Sequence, residues 1–293
     1  MLDFLSLHLC WMGTRQLNPL ADPVFKRVFG EEKEILMELI NAVIGLEHPV
    51  VGIDYLPPEL LPESIDEKTT IVDVRCIDVL NRNFIVEMQL VQQEALYKRI
   101  FFNATRVYAR QIERGINFKE LQPVYALCIV DHVLDHKTER WKHKYIIINE
   151  DEPNKRMADM ELHFIELPKC RKRKDINFED PLDRWITFFI DPIFVKKASM
   201  EPTFEYPNLK KAVKLLDESN YTEGQLIAYD NYLGSVMSWN TTMMHQFDQG
   251  RAEGKAEERQ LIVNIIQDLK SGMSDEEVAR KYGVDLELLA MLK

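Results

Sequence analysis

The stretch IVDVRCIDVLNRNFIVEMQ, residues 71–89, constrains this chain more than any other. Two β-branched, apolar runs, 70–78 and 83–90, flank the polar turn Leu80-Asn81-Arg82-Asn83. That pattern predicts an antiparallel hairpin. Side chains alternate faces along a strand. Ile71, Asp73, Arg75 and Ile77 therefore share one face of the first strand, and Glu87 and Gln89 share a face of the second. A turn centred near Asn81 sets Asp73 opposite Gln89. Glu87 is then the diagonal neighbour, about 7–8 Å away at the backbone.

Two carboxylates so close, on strands rich in Ile, Val and Phe, repel and raise each other's pKa. A hard divalent cation removes that penalty. Mg²⁺ typically takes one or two carboxylates plus waters and substrate phosphate. Spacing alone nevertheless favours a blander alternative, in which both charges lie on the solvent face of a sheet and Arg75 neutralises one of them.

The segments around the hairpin predict a sheet with helices packed on it. Residues 22–44 read as helix, with Asp22 as N-cap and Pro23 at the first helical position. Gly30 interrupts it, Leu36, Leu39, Ile40 and Val43 form the next apolar stripe, and Gly45 ends it. Residues 50–55 read as a strand, and Pro57, Pro58 and Pro62 then force a loop. A long helix follows over 92–114, closed by Gly115. The run PVYALCIV, 123–130, is apolar enough for a strand buried on both faces. Further strands are expected at 145–148 and 163–167, and mostly helix after Pro181, including 208–218 and 223–243. The charged stretch 248–259 reads as a solvated helix or linker. Beyond it come an amphipathic segment, 261–270, a capping box at Ser274 and Glu277, and a last short helix at 286–292, with Gly283 as the turn. This tail suits a helix-turn-helix or a dimerisation hairpin.

The net charge of −11 argues against a general nucleic-acid binder, which needs local positive surface to displace counterions. One such patch is plain: Lys169, Arg171, Lys172, Arg173 and Lys174 in KCRKRK. It reads equally well as a solvated loop. Asp131, His132, Asp135 and His136 follow a strand without regular metal-ligand spacing, and so read as loop residues, placed near DNA if DNA is bound. The four cysteines lie far apart with no CxxC pair, so neither zinc site nor disulfide framework is indicated. No apolar run approaches the roughly 20 residues that a membrane span needs, and no Gly-rich phosphate loop indicates a nucleotide cofactor. The expected compartment is the cytoplasm. The apolar start, residues 1–17, reads as an N-terminal extension, and Met12 could equally begin the chain.

The ordered set DPVFKRVFG (22–30), ELINAVIG (38–45), VDVRCIDVLNRNFIVEMQ (72–89), YKRIFFNATRVYARQIERG (97–115) and LQPVYALCIVDH (121–132) resembles the Rpn family of recombination-promoting nucleases. These are also called PD-(D/E)XK family transposases, and they belong to the PD-(D/E)XK nuclease superfamily. The likeness runs from about residue 18 to the end and takes in GRAEGKAEER (250–259). It implies an α/β fold with an αβββαβ core and a helical C-terminal region. It makes Asp73 and Glu87 metal ligands for Mg²⁺ or Mn²⁺, and puts Gln89 where the superfamily has Lys. An amide cannot titrate and orients only by hydrogen bonds, so Lys98 or Arg99 becomes the source of the missing charge. Asp22 and Lys26, four apart on one helix face, match an acidic residue and a Lys of the family pattern. Glu38 is an accessory acid on the next helix.

The expected organisation is an extension (1–17), a nuclease-like domain (18–195), a helical extension (196–249) and a charged linker with a helical tail (250–293). The expected activity is metal-dependent endonucleolytic hydrolysis of DNA, linked to recombination or mobile elements, by a homodimer. The alternative is a nuclease fold kept for DNA binding, regulation or phage defence, with little catalysis.

Overall fold

The computed structural model describes residues 15–60, 70–92, 95–112 and 117–291. The first strands and helices follow directly from the apolar spacing. α1 (Asp22–Gly30) and α2 (Lys33–Ile44) bury Val24, Phe25, Val28 and Phe29, and then Leu36, Leu39, Ile40 and Val43. Gly45 closes α2 at φ 66°, a left-handed conformation that suits a residue without Cβ.

β1 (Ile53–Tyr55) leads to two short strands, β2 (Glu59–Leu60) and β3 (Thr70–Ile71), which pair with each other in a separate small sheet. The expected strand over 70–78 is therefore two pieces, β3 and β4 (Val74–Asp78), broken at Val72 and Asp73. Here Val72 donates its N–H to the Pro58 carbonyl at 3.1 Å. The proline loop, expected without structure, thus supplies β2 and holds this break. β4 pairs antiparallel with β5 (Asn83–Gln89), Val74 against Val86 and Ile77 against Asn83. The turn centres on Leu80, not on Asn81. Asp78 Oδ1 accepts from the N–H groups of Leu80 and Arg82, and Asn81 takes φ 61°. Asn tolerates that conformation well. Continuing this register sets Asp73 beside Glu87 instead of Gln89.

α3 (Leu96–Ala109) follows, shorter at both ends than its apolar stripe suggests; Gly115 lies outside the described residues. β6 (Val124–Val130) is buried at every position. It runs parallel to β5 and to β8 (Arg156–Glu166), while β7 (Lys142–Ile148) lies antiparallel to β8 at the edge. The result is a six-stranded mixed sheet in the order β1-β4-β5-β6-β8-β7. α4 (Leu167–Cys170), α5 (Pro181–Ile190), α6 (Pro192–Ala198) and α7 (Pro207–Leu215) come next.

Helices cover both faces of the sheet. Val86 and Met88 face a core shared with α1, α2, α5 and α7. Ile85, Ala126 and Cys128 face Leu96, Ile100, Ala104 and Val107 of α3. Cys76, Cys128 and Cys170 are buried free thiols. This is an α/β fold, a mixed sheet with helices on both faces.

Contacts divide the chain after Val236. The first unit takes in Leu209, Ala212, Val213, Leu216, Tyr229 and Val236, which join the main core. The charged stretch 248–259 is not a linker but part of one helix, α8 (Glu223–Lys270). The second unit contains the end of α8, α9 (Asp275–Tyr282) and α10 (Leu286–Met291) around Ile265, Val278 and Leu289. The Ser274–Glu277 capping box is formed, and Gly283 turns the chain at φ 67°. Among the described residues no helix is long and apolar enough to cross a membrane.

Candidate active site

Glu87 projects from β5 on the α3 side and is 2% exposed. Two side chains of α3 meet its carboxylate. Asn103 Nδ2 donates to Oε1 at 3.2 Å, and Arg99 Nη2 approaches Oε2 at 3.4 Å. Arg99 and Asn103 stand four apart, so one helix face presents both. Asn103 was not singled out from sequence, although its spacing from Arg99 was available. Burial foremost, and then the Asp73 charge, push the Glu87 carboxyl up to about 7; Arg99 and Asn103 pull against this.

Asp73 occupies the break between β3 and β4. Its Oδ2 accepts the Met88 N–H at 2.7 Å, so it is locked to β5 next to Glu87. Burial and the neighbouring Asp22 raise its carboxyl to about 6, against the opposing Met88 hydrogen bond and Lys26. Asp22 thus stands beside Asp73 as a second acidic neighbour, and its charge favours the protonated form of Asp73.

Asp22 is not the N-cap. Ala21 holds that position and makes no side-chain cap, and Asp22 is the first residue of α1. Its carboxylate is used instead by Lys26, whose Nζ lies 2.8 Å from Asp22 and 3.7 Å from Asp73. Tyr232 of α8 also comes close to Asp22, and burial foremost, then the Asp22 charge, push its phenol up to about 12. Nothing in the sequence marks Tyr232, because it is 210 positions from Asp22 and comes close only through folding.

Five groups of the sequence set thus come together: Asp22, Lys26, Asp73, Glu87 and Arg99. Gln89 ends β5 on the face of Glu87 by strand alternation, partly exposed. Two accessory residues lie elsewhere. Glu38 accepts a hydrogen bond from Asn208 of α7 at 2.8 Å, in a surface hollow with Arg184. Lys98 lines a separate apolar hollow with Phe101 and Tyr145.

A family model for PD-(D/E)XK nuclease family transposases matches residues 19–268. The chain belongs to that family. No curated protein and no solved structure matches it. In this transposase-family nuclease the αβββαβ elements and the two carboxylates coincide, since the matched span holds α1, the hairpin, α3 and β6.

Nucleases of this family generally use divalent metal ions. The donor set here suits one. Two neighbouring carboxylates, Glu87 buried and Asp73 half-buried, have their affinity for protons raised, so each gains by meeting a cation of higher charge. Among the described residues no group of three or more His, Cys, Asp or Glu side chains has metal-holding geometry. Asp73 and Glu87 are the two side chains that could hold such an ion here, with the remaining positions left to water and phosphate.

The raised pKa values set a pH dependence. For a carboxylate whose folded pKa lies above its unfolded value, the folded state holds the extra proton. Stability is then lost as pH rises from the unfolded value through the folded one. Without metal, these two groups should make the protein less stable at pH 8 than at pH 5. Added Mg²⁺ should raise the thermal midpoint more at pH 8 than at pH 5, because cations bind the deprotonated forms. Equal Mg²⁺ effects at both pH values would count against the carboxylate pair as the site.

The basic run is not a uniform cationic patch. Lys169 is buried, its Nζ 2.8 Å from Glu166. Arg171 pairs with Asp131, and Arg173 pairs with Asp183 and stacks over Trp141. Lys172 and Lys174 remain exposed. His132 has both ring nitrogens buried without a partner, and burial lowers its pKa.

Proposed function

We propose that this chain is a metal-dependent DNA endonuclease that hydrolyses phosphodiester bonds, in a recombination or mobile-element setting. The observation that carries the reading is the pair of half-buried Asp73 and buried Glu87, both held by hydrogen bonds and both with raised pKa. Mg²⁺ or Mn²⁺ held there would lower the pKa of a bound water and polarise the phosphoryl group. The chain's own groups do the rest. Met88 N–H and Asn103 fix the two carboxylates. Arg99 and Lys26 temper their charge. Lys26, 41% exposed, is placed to meet a phosphate oxygen at the mouth of the site. Gln89 would orient the attacking water by hydrogen bonds. Lys172 and Lys174 are the free-facing charges of the basic run and would bind DNA backbone.

Gln89 in the place of a Lys favours a second reading, a nuclease fold retained for DNA binding, regulation or phage defence. A plasmid-nicking assay over Mg²⁺, Mn²⁺ and chelator separates the two. The endonuclease reading expects nicking with Mg²⁺ or Mn²⁺ and none with chelator. DNA binding without nicking in any metal would favour the second.

A further inference from the structure

The sheet has two edges, and they differ. β1 is three residues long, and its middle residue, Asp54, is exposed and paired with Lys33 at 2.8 Å. A short, charged edge resists pairing with other chains. β7 is seven residues long and, among the described residues, hydrogen-bonded to β8 on one side only. Tyr145, Ile146, Ile147 and Ile148 are 37–46% exposed. Consecutive residues point to opposite faces, so both faces of this edge are uncovered. The register shift beside Ile146 and Ile147 places its extra residues on β8 and leaves β7 unbroken. Phe101 and Met157 are also exposed, and Phe101 shares an apolar hollow of about 630 Å³ with Tyr97, Tyr145 and Ile147.

We propose that β7 pairs antiparallel with β7 of a second copy of this chain, joining two six-stranded sheets into one. The order of charges along the strand supports that occupant. Lys142, His143 and Lys144 precede the apolar centre, and Glu150, Asp151 and Glu152 follow it. A twofold axis through Ile147 sets Lys144 against Glu150, just past the end of the strand. An axis through Ile146 sets Lys142 against Glu150. Opposite charges facing across strands stabilise the pair, and like charges destabilise it. A parallel pairing would align like with like. Some of these charges also act within the chain. Lys144 meets Glu161 at 2.7 Å, Lys142 donates to the Val43 carbonyl, His143 contacts Glu166, and Glu152 pairs with Lys155. Glu150 and Asp151 stay exposed, so the acidic end is available to a partner. The proposal does not depend on the nuclease assignment.

Sedimentation velocity on the full chain, without DNA or metal, tests it. Wild type should sediment as a dimer at micromolar concentration. Ile147→Lys and Glu150→Lys should each raise the dimer Kd at least ~10-fold, a change of about 1.4 kcal/mol. Phe118→Lys, at an exposed residue of another loop, should leave it unchanged. Should Ile147→Lys lose its fold by thermal melt, Glu150→Lys in the exposed turn decides alone. A wild type that stays monomeric at about 100 µM overturns the proposal, as does folded Glu150→Lys dimerising like wild type. Asp73→Asn should dimerise normally, so failure of the dimer and failure of the nuclease reading are read separately.

Discussion

Glu87→Gln is expected to lower metal-dependent cleavage by at least ~100-fold while making the metal-free protein more stable at pH 8. The two effects have one cause. Glu87 is almost fully buried, with its carboxyl raised to about 7. At pH 8 the folded protein must carry that charge in a dry site, whereas the unfolded chain ionises it at no comparable cost. The amide keeps the shape and can still meet Asn103, but it carries no charge. The expected gain is on the order of 1–3 kcal/mol, tempered because Arg99 loses an attraction. At pH 5 the folded carboxyl is protonated and the gain should shrink to a small fraction of its value at pH 8. Thermal melts in chelator at the two pH values, beside a nicking assay with Mg²⁺, read both effects. A variant that cleaves like wild type, or is less stable at pH 8, would show that Glu87 serves the fold and not the chemistry.

That opposition also explains why the site was partly legible in sequence. Two acids inside an Ile-, Val- and Phe-rich hairpin are a local conflict, and such conflicts concentrate at functional sites. Strand alternation correctly put Asp73 on the side of Glu87. The register was another matter. It depends on whether the turn centres on Leu80 or Asn81, and the Asp78 side chain decides that by holding the N–H groups of Leu80 and Arg82. A single residue of register changes which side chain faces Asp73, and no periodicity encodes it. Asp22 failed in a related way. Asp before Pro is a common cap signature, but here the helix starts one residue earlier and frees the carboxylate for Lys26. Long-range neighbours were beyond any local pattern, as with Tyr232 against Asp22 and Asn208 against Glu38. The basic run shows the reverse. Its charges were obvious, yet Asp131, Asp183 and Glu166, brought in by folding, spend three of the five on ion pairs.

The largest loss of stability is expected at Phe29, because the helix that carries Asp22 and Lys26 is anchored there. Its ring lies 4.8 Å from Phe25, 5.7 Å from Trp185, 6.1 Å from Phe188 and 5.6 Å from Phe189, with no exposure. Aromatic pairs at such separations add to the stabilisation that burial gives. Phe29→Ala removes four ring contacts and opens a cavity between α1 and α5 that surrounding side chains can fill only in part. The expected cost is ~3–5 kcal/mol, or roughly 10 °C in the thermal midpoint for a unit of this size. Phe118→Ala, at a ring 76% exposed, should change stability by no more than about 0.5 kcal/mol. The Phe29 carbonyl also accepts the Tyr55 hydroxyl at 2.9 Å, tying α1 to β1. A looser α1 should therefore reach the site through Lys26, which stands 3.7 Å from Asp73. Phe29→Ala is expected to reduce cleavage even at temperatures where it remains folded, and Phe118→Ala is not. Denaturant melts and nicking rates on the same two preparations make the comparison. A loss below about 1 kcal/mol at Phe29 would mean that the aromatic box collapses around the gap, and that α1 is positioned by the sheet and not by its rings.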